Sequence, residues 1–237
     1  MDWCISSIRL KLDKIDYFPF LVRKSNRSHD SKIIIRSLIK KNMEAIAIPK
    51  GFKVTPQQFD QLADAEQVAR LELTKDGELI VMSPTGGEAG RKNSRLTQQL
   101  RNWADLDATG EVFDSSTVFA LPSGAKRSPD VSWVKLERWN ALSLKQKQGF
   151  PPLTPDFVIE LVSPSDVKNQ RYEDLQDKMQ EYLDNGVKLG WLIEPSAKLV
   201  EIYRPGQPVE ISNNPQTLSG ESILPGFNLD LTKIFDT

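Results

Sequence analysis

The chain has 237 residues, of which 39% are hydrophobic and 27% charged, and its formal net charge at pH 7 is −1. It contains one histidine, His29, and one cysteine, Cys4. This composition disfavours mechanisms built on histidine, such as Ser-His-Asp triads, HNH nucleases, HExxH proteases and His-bound zinc sites, and it excludes internal disulfides. No apolar stretch reaches the roughly 18–20 residues that span a bilayer, and the first residues make a poor secretory signal. We therefore expect a cytoplasmic protein that makes no membrane contact.

Charge is distributed unevenly along the chain. Residues 1–42 contain ten Lys and Arg against four Asp and Glu, whereas the remaining residues contain 21 against 28. Residues 1–42 are therefore predicted to be a basic N-terminal extension, either poorly ordered or added by a start codon upstream of a true start at Met43. An arm that contacts phosphates is the alternative interpretation. Residues 43–237 show the regular turn spacing of one folded domain.

The first half of this domain alternates helix and hairpin signals. The pair Thr55-Pro56 caps a short helix, PQQFDQLADA, with proline at the first helical position. The turn KDG separates the runs RLELT and ELIVM and predicts a β-hairpin. A long helix follows over RKNSRLTQQLRNWADL, in which Leu96, Leu100 and Trp103 have helical spacing.

The second half continues this alternation. Strands are predicted over EVFDS, TVFAL, DVSWV, DFVIELV, LGWLIEP and LVEIYRP. Helices are predicted over KLERWNAL and over QRYEDLQDKMQEYLDNG, whose Asn-Gly end is a typical stop signal. Strands interleaved with helices predict an α/β (α+β) fold with a mixed central sheet.

Three carboxylates lie at the edges of the most apolar strands. Asp130 precedes VSWV, while Asp156 and Glu160 lie in the single run PDFVIELV. Asp156 and Glu160 are separated by about 13 Å along a strand, which is too far for them to share one ion. Asp130 comes from a different strand and can lie beside Glu160, so the sequence predicts that this pair holds a hard cation such as Mg²⁺. Asp156 is predicted only to begin its strand.

Lys178 is the candidate cation near this pair. An ammonium group there would stabilise negative charge that develops on a phosphate. The helix after Glu160 has an apolar stripe that Lys178 borders. The stripe consists of Tyr172, Leu175, Met179 and Tyr182. The spacing leaves two interpretations open: Lys178 reaches over the sheet toward Asp130 and Glu160, or it lies in solvent with its stem along the core edge.

Glu88 begins the long helix, directly after the flexible pair Gly86-Gly87. A first-turn glutamate usually does no more than complement the helix dipole. Placed over the carboxylate pair, it would instead hold a second ion or a bound water. The spacing does not choose between these roles.

An ordered series of motifs along the domain carries a family resemblance. The motifs are DGELIVMSPTGGEAGRKNSRLTQQLRNW, GEVFDSSTVFALPSGAKRSPDVSWV, RWNAL, PDFVIELVSPSD, LQDKMQEYLDNGVKLGWLIEP and VEIYRPG. Together they resemble the Uma-type putative restriction endonuclease family, which is abundant in cyanobacteria and belongs to the PD-(D/E)XK nuclease superfamily. The resemblance runs from about residue 46 to the C-terminus. It implies a restriction-endonuclease-like core, a mixed sheet flanked by helices, with a Mg²⁺-dependent phosphodiesterase site.

The resemblance also assigns roles residue by residue. Asp130 matches the aspartate of the superfamily's PD motif, and Glu160 matches its (D/E) position. The usual lysine two residues later is absent, because Val162 stands there. Lys178 matches a helix lysine that the family keeps in such cases, and Glu88 matches the acidic residue of the first core helix.

The resemblance therefore implies a divalent-metal-dependent DNA endonuclease with Asp130, Glu160, Lys178 and Glu88 as catalytic residues. Asp130 and Glu160 would hold Mg²⁺, with Mn²⁺ as a substitute cofactor. DNA is the expected partner, and cutting both strands would favour a homodimer. The alternative is a catalytically inactive nuclease-fold module that binds nucleic acid or protein.

Overall fold

A computed structural model of the chain describes residues 50–65, 70–82, 84–168 and 171–236. All of them fall within one unit, Ile48–Thr237. The basic extension predicted for residues 1–42 lies outside the described residues. The predicted domain limits, 1–42 and 43–237, therefore stay predictions.

The described residues form seven helices and twelve strands. The helices are α1 (Pro56–Ala65), α2 (Gly87–Asp107), α3 (Leu136–Asn140), α4 (Leu144–Gln148), α5 (Pro164–Lys168), α6 (Tyr172–Asp184) and α7 (Thr232–Phe235). The strands are β1 (Arg70–Leu73), β2 (Leu79–Met82), β3 (Gly110–Asp114), β4 (Phe119–Ala120), β5 (Lys126–Arg127), β6 (Val131–Lys135), β7 (Phe157–Leu161), β8 (Leu189–Glu194), β9 (Leu199–Tyr203), β10 (Glu210–Asn213), β11 (Thr217–Ser219) and β12 (Asn228–Asp230).

Six strands form a mixed central sheet in the order β10-β9-β8-β7-β6-β3. Neighbouring strands are antiparallel except β7 and β8, which are parallel and are connected through α5 and α6. The register of β6 against β7 pairs Val131 with Ile159 and Trp133 with Phe157. This register brings the start of β6 beside the end of β7.

A smaller sheet, in the order β2-β1-β5-β4, contains the predicted hairpin. Gly77 in its turn has a φ of 84°, a conformation that favours glycine. Helix α1 begins as predicted, because Thr55 Oγ1 accepts a hydrogen bond from the Gln58 N–H at 3.2 Å and Gln58 Oε1 accepts one from the Thr55 N–H at 2.8 Å. Phe59 of α1 and Leu73 of β1 lie in one apolar cluster, which joins the helix to the hairpin.

Different helices cover the two faces of the central sheet. On one face, Leu96 and Leu100 of α2 pack with the odd-numbered residues of β7. On the other face, Met179 and Tyr182 of α6 pack with the even-numbered residues of the same strand, as the predicted apolar stripe requires. Because side chains alternate along a strand, Glu160 faces α6.

Gly110, at the start of β3, provides the space that Trp133 occupies. A Cβ atom at Gly110 would lie 2.2 Å from Cε2 of the Trp133 indole ring, far inside van der Waals contact. Trp133 also packs against Trp103 of α2, with ring centroids 6.1 Å apart. The missing side chain at Gly110 thus affects how closely α2 approaches β6.

The predicted α/β (α+β) fold, with a mixed central sheet flanked by helices, is confirmed. The structure adds the short strand β5 and the strands β10, β11 and β12, and it separates the hairpin from the central sheet. None of the helices in the described part of the chain is long and apolar enough to cross a membrane.

Candidate active site

Asp130 and Glu160 meet at one edge of the central sheet. Because β6 and β7 are antiparallel with Val131 opposite Ile159, the next position outward sets Asp130 opposite Glu160. The Leu161 N–H donates to Asp130 Oδ2 at 2.9 Å, which holds the half-buried aspartate against the end of β7. The structure thus brings the predicted pair together.

Lys178 of α6 reaches this pair from above the sheet. It is buried, and its Nζ lies 2.8 Å from Glu160 Oε1. Tyr182, one turn further along α6, donates its hydroxyl to the same oxygen at 2.9 Å, since residues i and i+4 share a helix face. Of the two interpretations that the spacing allowed, the structure shows the one in which Lys178 points at the carboxylates.

Glu72 of β1 is a residue at this point that the sequence did not indicate. It is 1% exposed, and its Oε1 accepts hydrogen bonds from Lys178 Nζ and from the Ser128 N–H, both at 2.9 Å. Its Oε2 accepts one from Arg127 Nη1 at 3.1 Å. The available signal was its place in the hairpin: a carboxylate between two leucines, opposite the apolar Ile80. Such a residue usually faces solvent in an isolated hairpin, so the signal was weak.

Arg127 extends the network away from Lys178. Its Nε donates to Glu181 Oε2 at 2.5 Å, and Glu181 Oε1 accepts the Lys75 N–H of the hairpin turn at 2.9 Å. Glu72 and Glu181 are both buried, so Arg127 lies enclosed between two carboxylates. These contacts join the hairpin, β5 and α6 around Lys178.

The carboxylate pair has raised pKa values. Burial raises the pKa of Glu160 to about 7; the charge of Lys178 opposes this shift, and the charges of Asp130 and Glu72 add to it. Burial also raises the pKa of Asp130, against the hydrogen bond from the Leu161 N–H and the charge of Lys178. In their ionised forms, both groups therefore have a negative charge that the surrounding protein does not fully neutralise.

The pKa values of Glu72 and Lys178 shift in the directions that favour their charged forms. Burial acts to raise the pKa of Glu72, yet the charges of Lys178 and Arg127 hold that pKa below its ordinary value. Burial likewise acts against charged Lys178, but Glu160 and Glu72 raise the pKa of its ammonium group above the ordinary value. Lys178 is therefore a stable cation at neutral pH and not a proton acceptor.

Asn93 of α2 lies on the other side of Asp130. Its Nδ2 donates to Asp130 Oδ1 at 2.9 Å, an orientation that an ionised carboxylate requires because it can only accept. The buried Oδ1 of Asn93 has no hydrogen-bond partner among the described residues. An amide oxygen in this position can accept from water or bind a hard cation.

The donor set at this edge fits a magnesium-type cation. Within the described ranges, no group of three or more His, Cys, Asp or Glu side chains is arranged to hold a metal ion. Mg²⁺ needs fewer protein ligands, since one or two carboxylates usually suffice and water and substrate phosphate complete its shell. Asp130 and Glu160 supply two carboxylates, and the contacts of Glu160 with Lys178 and Tyr182 both use Oε1. The fit is to a hard, oxygen-binding ion.

Glu88 lies in the first turn of α2, where its side chain is 67% exposed. Its Oε2 pairs with Arg91 Nη2 at 2.8 Å, and the hydrogen bond and charge of Arg91 lower its pKa. The contacts of the described residues do not join Glu88 to the carboxylate pair or to Lys178. Helix α2 instead reaches the pair through Asn93.

Asp156 lies directly before β7, at the opposite end of that strand from Glu160. Its carboxylate contacts Arg138 Nη1 and Lys188 Nζ, each at 2.8 Å, and accepts the Lys135 N–H at 2.9 Å. Burial acts to raise its pKa, but these three donors together hold the pKa below its ordinary value. Asp156 is thus a neutralised carboxylate at the start of a strand, as predicted.

Comparison with known proteins gives one family and one fold. Residues 56–232 match the model of the Uma2 family, described as "Putative restriction endonuclease". The structure is similar to a crystal structure from Anabaena variabilis ATCC 29413, described as a putative nuclease belonging to DUF820, with a TM-score of 0.63 and 20% sequence identity. The similarity covers 77% of this chain and 97% of that one, and at this identity it shows the fold alone. No curated protein matches the chain.

Proposed function

Because the chain belongs to the Uma2 family of putative restriction endonucleases, we propose that it is a divalent-metal-dependent endonuclease that hydrolyses phosphodiester bonds of DNA. One observation carries the proposal. The register of β6 and β7 sets Asp130 opposite Glu160, and the ammonium group of Lys178 lies 2.8 Å from Glu160 Oε1. Carboxylates that bind a cation and a fixed positive charge together suit a substrate whose reacting group is a phosphate anion.

Asp130 and Glu160 would hold Mg²⁺, with Mn²⁺ as a substitute. A divalent ion, when bound, polarises a phosphoryl oxygen and lowers the pKa of water. The raised pKa values of both carboxylates support this assignment, because carboxylates whose charge the protein does not fully neutralise are stabilised by a bound cation. Asn93 orients Asp130 through its amide nitrogen.

Lys178 would stabilise negative charge on the phosphate oxygens and orient the attacking water. Its raised pKa keeps it protonated, so its role is electrostatic. In the overall reaction the water oxygen bonds to phosphorus and the bond to the leaving sugar oxygen breaks. A proton from water ends on that leaving oxygen.

Glu88 is assigned a supporting role at the edge of the site. It lies five residues before Asn93 on α2, or about 7–8 Å along the helix axis. Its partner Arg91 has a guanidinium group that can bind a DNA phosphate. Glu88 would orient this arginine rather than touch the reacting atoms.

Plasmid cleavage tests the proposal. Supercoiled DNA incubated with the protein should be nicked or linearised in Mg²⁺ or Mn²⁺, and it should stay intact in EDTA or with Asp130→Ala. Cleavage by Asp130→Ala at a rate close to that of the wild type in metal-replete buffer would contradict the assignment. Binding of DNA without cleavage in both metals would instead identify an inactive nucleic-acid-binding module.

Cutting of both strands in one binding event favours two such sites, so we propose that two copies of the chain act on a duplex. The same assay separates nicked from linear product. Linear product should depend more steeply on protein concentration than nicks do, and sedimentation should show a dimer on DNA. Linear product that rises in parallel with nicks, from a monomer, would contradict a dimer.

A further inference from the structure

We propose that Glu72 is a positioning residue, which keeps the ammonium group of Lys178 at the carboxylate pair while Glu160 is engaged by a cation. The inference rests on the proposed nuclease function, but it concerns a residue outside the central sheet. It makes the hairpin that carries Glu72 part of the site.

The carboxylate of Glu72 is itself held firmly. Its Oε1 accepts from the Ser128 N–H and from Lys178 Nζ, both at 2.9 Å, and its Oε2 accepts from Arg127 Nη1 at 3.1 Å. Because Glu72 is 1% exposed, solvent does not compete for these bonds. A charged acceptor bound by a backbone N–H and a guanidinium is a fixed point for Lys178.

Lys178 needs such a fixed point. A lysine stem has four flexible carbons, so the final position of the ammonium group depends on its partners. Among the described residues, its carboxylate partners are Glu160 at 2.8 Å and Glu72 at 2.9 Å, and the centroid of the Tyr182 ring lies 5.8 Å from Nζ. A cation bound to Glu160 repels the ammonium group of Lys178 and competes with it for the Glu160 carboxylate. Glu72 is then the carboxylate contact that still holds Lys178 in place.

Glu181 provides a matched control. Both glutamates are buried, at 5% and 1% exposure, both pair with Arg127, and each accepts one backbone N–H. Of the two, Glu72 is the one that binds Lys178. If Glu72 only neutralises Arg127, Glu72→Gln and Glu181→Gln should behave alike.

Side-chain NMR of protein labelled with ¹⁵N-lysine tests the inference without any cleavage. A buried, hydrogen-bonded ammonium group exchanges its protons slowly, so Lys178 should give an NH₃⁺ signal that disappears in Lys178→Arg. In saturating Mg²⁺ the signal should persist in the wild type and in Glu181→Gln and be lost in Glu72→Gln. A signal that persists in Glu72→Gln, or is lost in the wild type, overturns the inference.

Glu72→Asp is the second variant, for use if Glu72→Gln does not fold by circular dichroism. It keeps the charge but withdraws it from Lys178 by one methylene. The Lys178 ammonium protons should then exchange faster than in the wild type when Mg²⁺ is present. Exchange at the wild-type rate would overturn the inference.

Steady-state kinetics separate positioning from lost stability. Glu72→Gln should lower kcat by about 10²-fold with little change in KM, because Lys178 is displaced and not removed. Glu181→Gln should keep the wild-type kcat even where it lowers the melting temperature. Equal losses of kcat in both variants would overturn the inference. If the wild type does not cleave DNA while the NMR result holds, the proposed function fails and the positioning role stands.

Discussion

Two Pro-Asp pairs precede neighbouring strands of the central sheet, Pro129-Asp130 before β6 and Pro155-Asp156 before β7. Because these strands are antiparallel, the two aspartates lie at opposite edges of the sheet. Asp156 is bound by two cationic side chains and a backbone N–H, which hold its pKa down against burial. Asp130 faces Glu160, and burial raises its pKa.

The difference shows that the dipeptide alone does not make a site. Asp156 is neutralised by residues of its own edge, so it has no charge to offer a ligand. Asp130 has an amide and a backbone N–H as hydrogen-bond donors, with a second carboxylate opposite. Incomplete neutralisation costs stability and leaves affinity for a cation, a combination typical of functional sites.

Alanine at each aspartate should separate cleavage from stability, and this is the largest expected effect. Asp130→Ala removes a cation ligand, so a loss of several kcal/mol of charge stabilisation should slow cleavage by about 10³-fold. Asp156→Ala leaves that edge intact and should not change the rate. It should lower the free energy of unfolding by about 1–3 kcal/mol, because the Lys135 N–H loses its acceptor. Plasmid cleavage measures the rate, and urea unfolding measures the free energy of unfolding. Slow cleavage by Asp156→Ala would show that the two edges are not independent.

Replacement of the lysine at each edge extends the comparison. Lys178→Met should lower kcat by about 10²–10³-fold, since a fixed positive charge near the phosphate is lost. It should not weaken the response to Mg²⁺, because the cation no longer competes with an ammonium group for Glu160. Lys188→Met, at Asp156, is the control and should cleave normally. Rates across a Mg²⁺ titration measure both quantities, and an unchanged kcat in Lys178→Met would leave that lysine only a structural role.

Stability should depend on pH with opposite sign at the two edges. The folded-state pKa of Glu160, about 7, lies above its ordinary value of 4.5, so the metal-free protein loses stability as pH rises through this window. Glu160→Gln should remove most of that loss, which is on the order of 3 kcal/mol for a shift of this size. The folded-state pKa of Asp156 lies below 3.8, so its contribution is present above that pH and is lost as pH falls below it. Urea unfolding in EDTA, at pH values that span both pKa values, tests the two predictions. A free energy of unfolding that does not change with pH in the wild type would contradict both of them.

Glu88→Gln should have the smallest effect. Its exposed side chain pairs with Arg91 in solvent, where charge is screened. We expect cleavage to slow by less than about tenfold and the melting temperature to stay the same. Cleavage and thermal unfolding measure these. A loss as large as that of Asp130→Ala would show that Glu88 contacts the reacting atoms.

Much of the site was predictable because regular elements have rigid spacing. Strand geometry predicted that Asp156 is too far from Glu160 to share an ion and that Asp130 lies beside Glu160 instead. The register of β6 and β7 sets Asp130 opposite Glu160. Helical periodicity located Lys178 at the border of an apolar stripe, and the family resemblance chose its direction. The assigned catalytic roles of these residues stay predictions.

Glu72 was missed because its burial depends on contacts distant in sequence. Its partner Lys178 lies 106 residues away, and Arg127 lies in a strand of two charged residues, which has no strand signal. Local pattern predicts a hairpin with one polar side chain between leucines. Only the packing of α6 and β5 against that side chain shows that it is enclosed.

In a systematic mutagenesis experiment, we expect substitutions of Gly110 to be tolerated as poorly as substitutions of a catalytic residue. Any side chain on Gly110 displaces the Trp133 indole, which packs on Trp103 of α2. The same helix carries Asn93 to Asp130. Poor tolerance at Gly110 would therefore reflect the required spacing between α2 and the central sheet. Mutagenesis data alone would not distinguish this glycine, which has no functional group, from a catalytic residue.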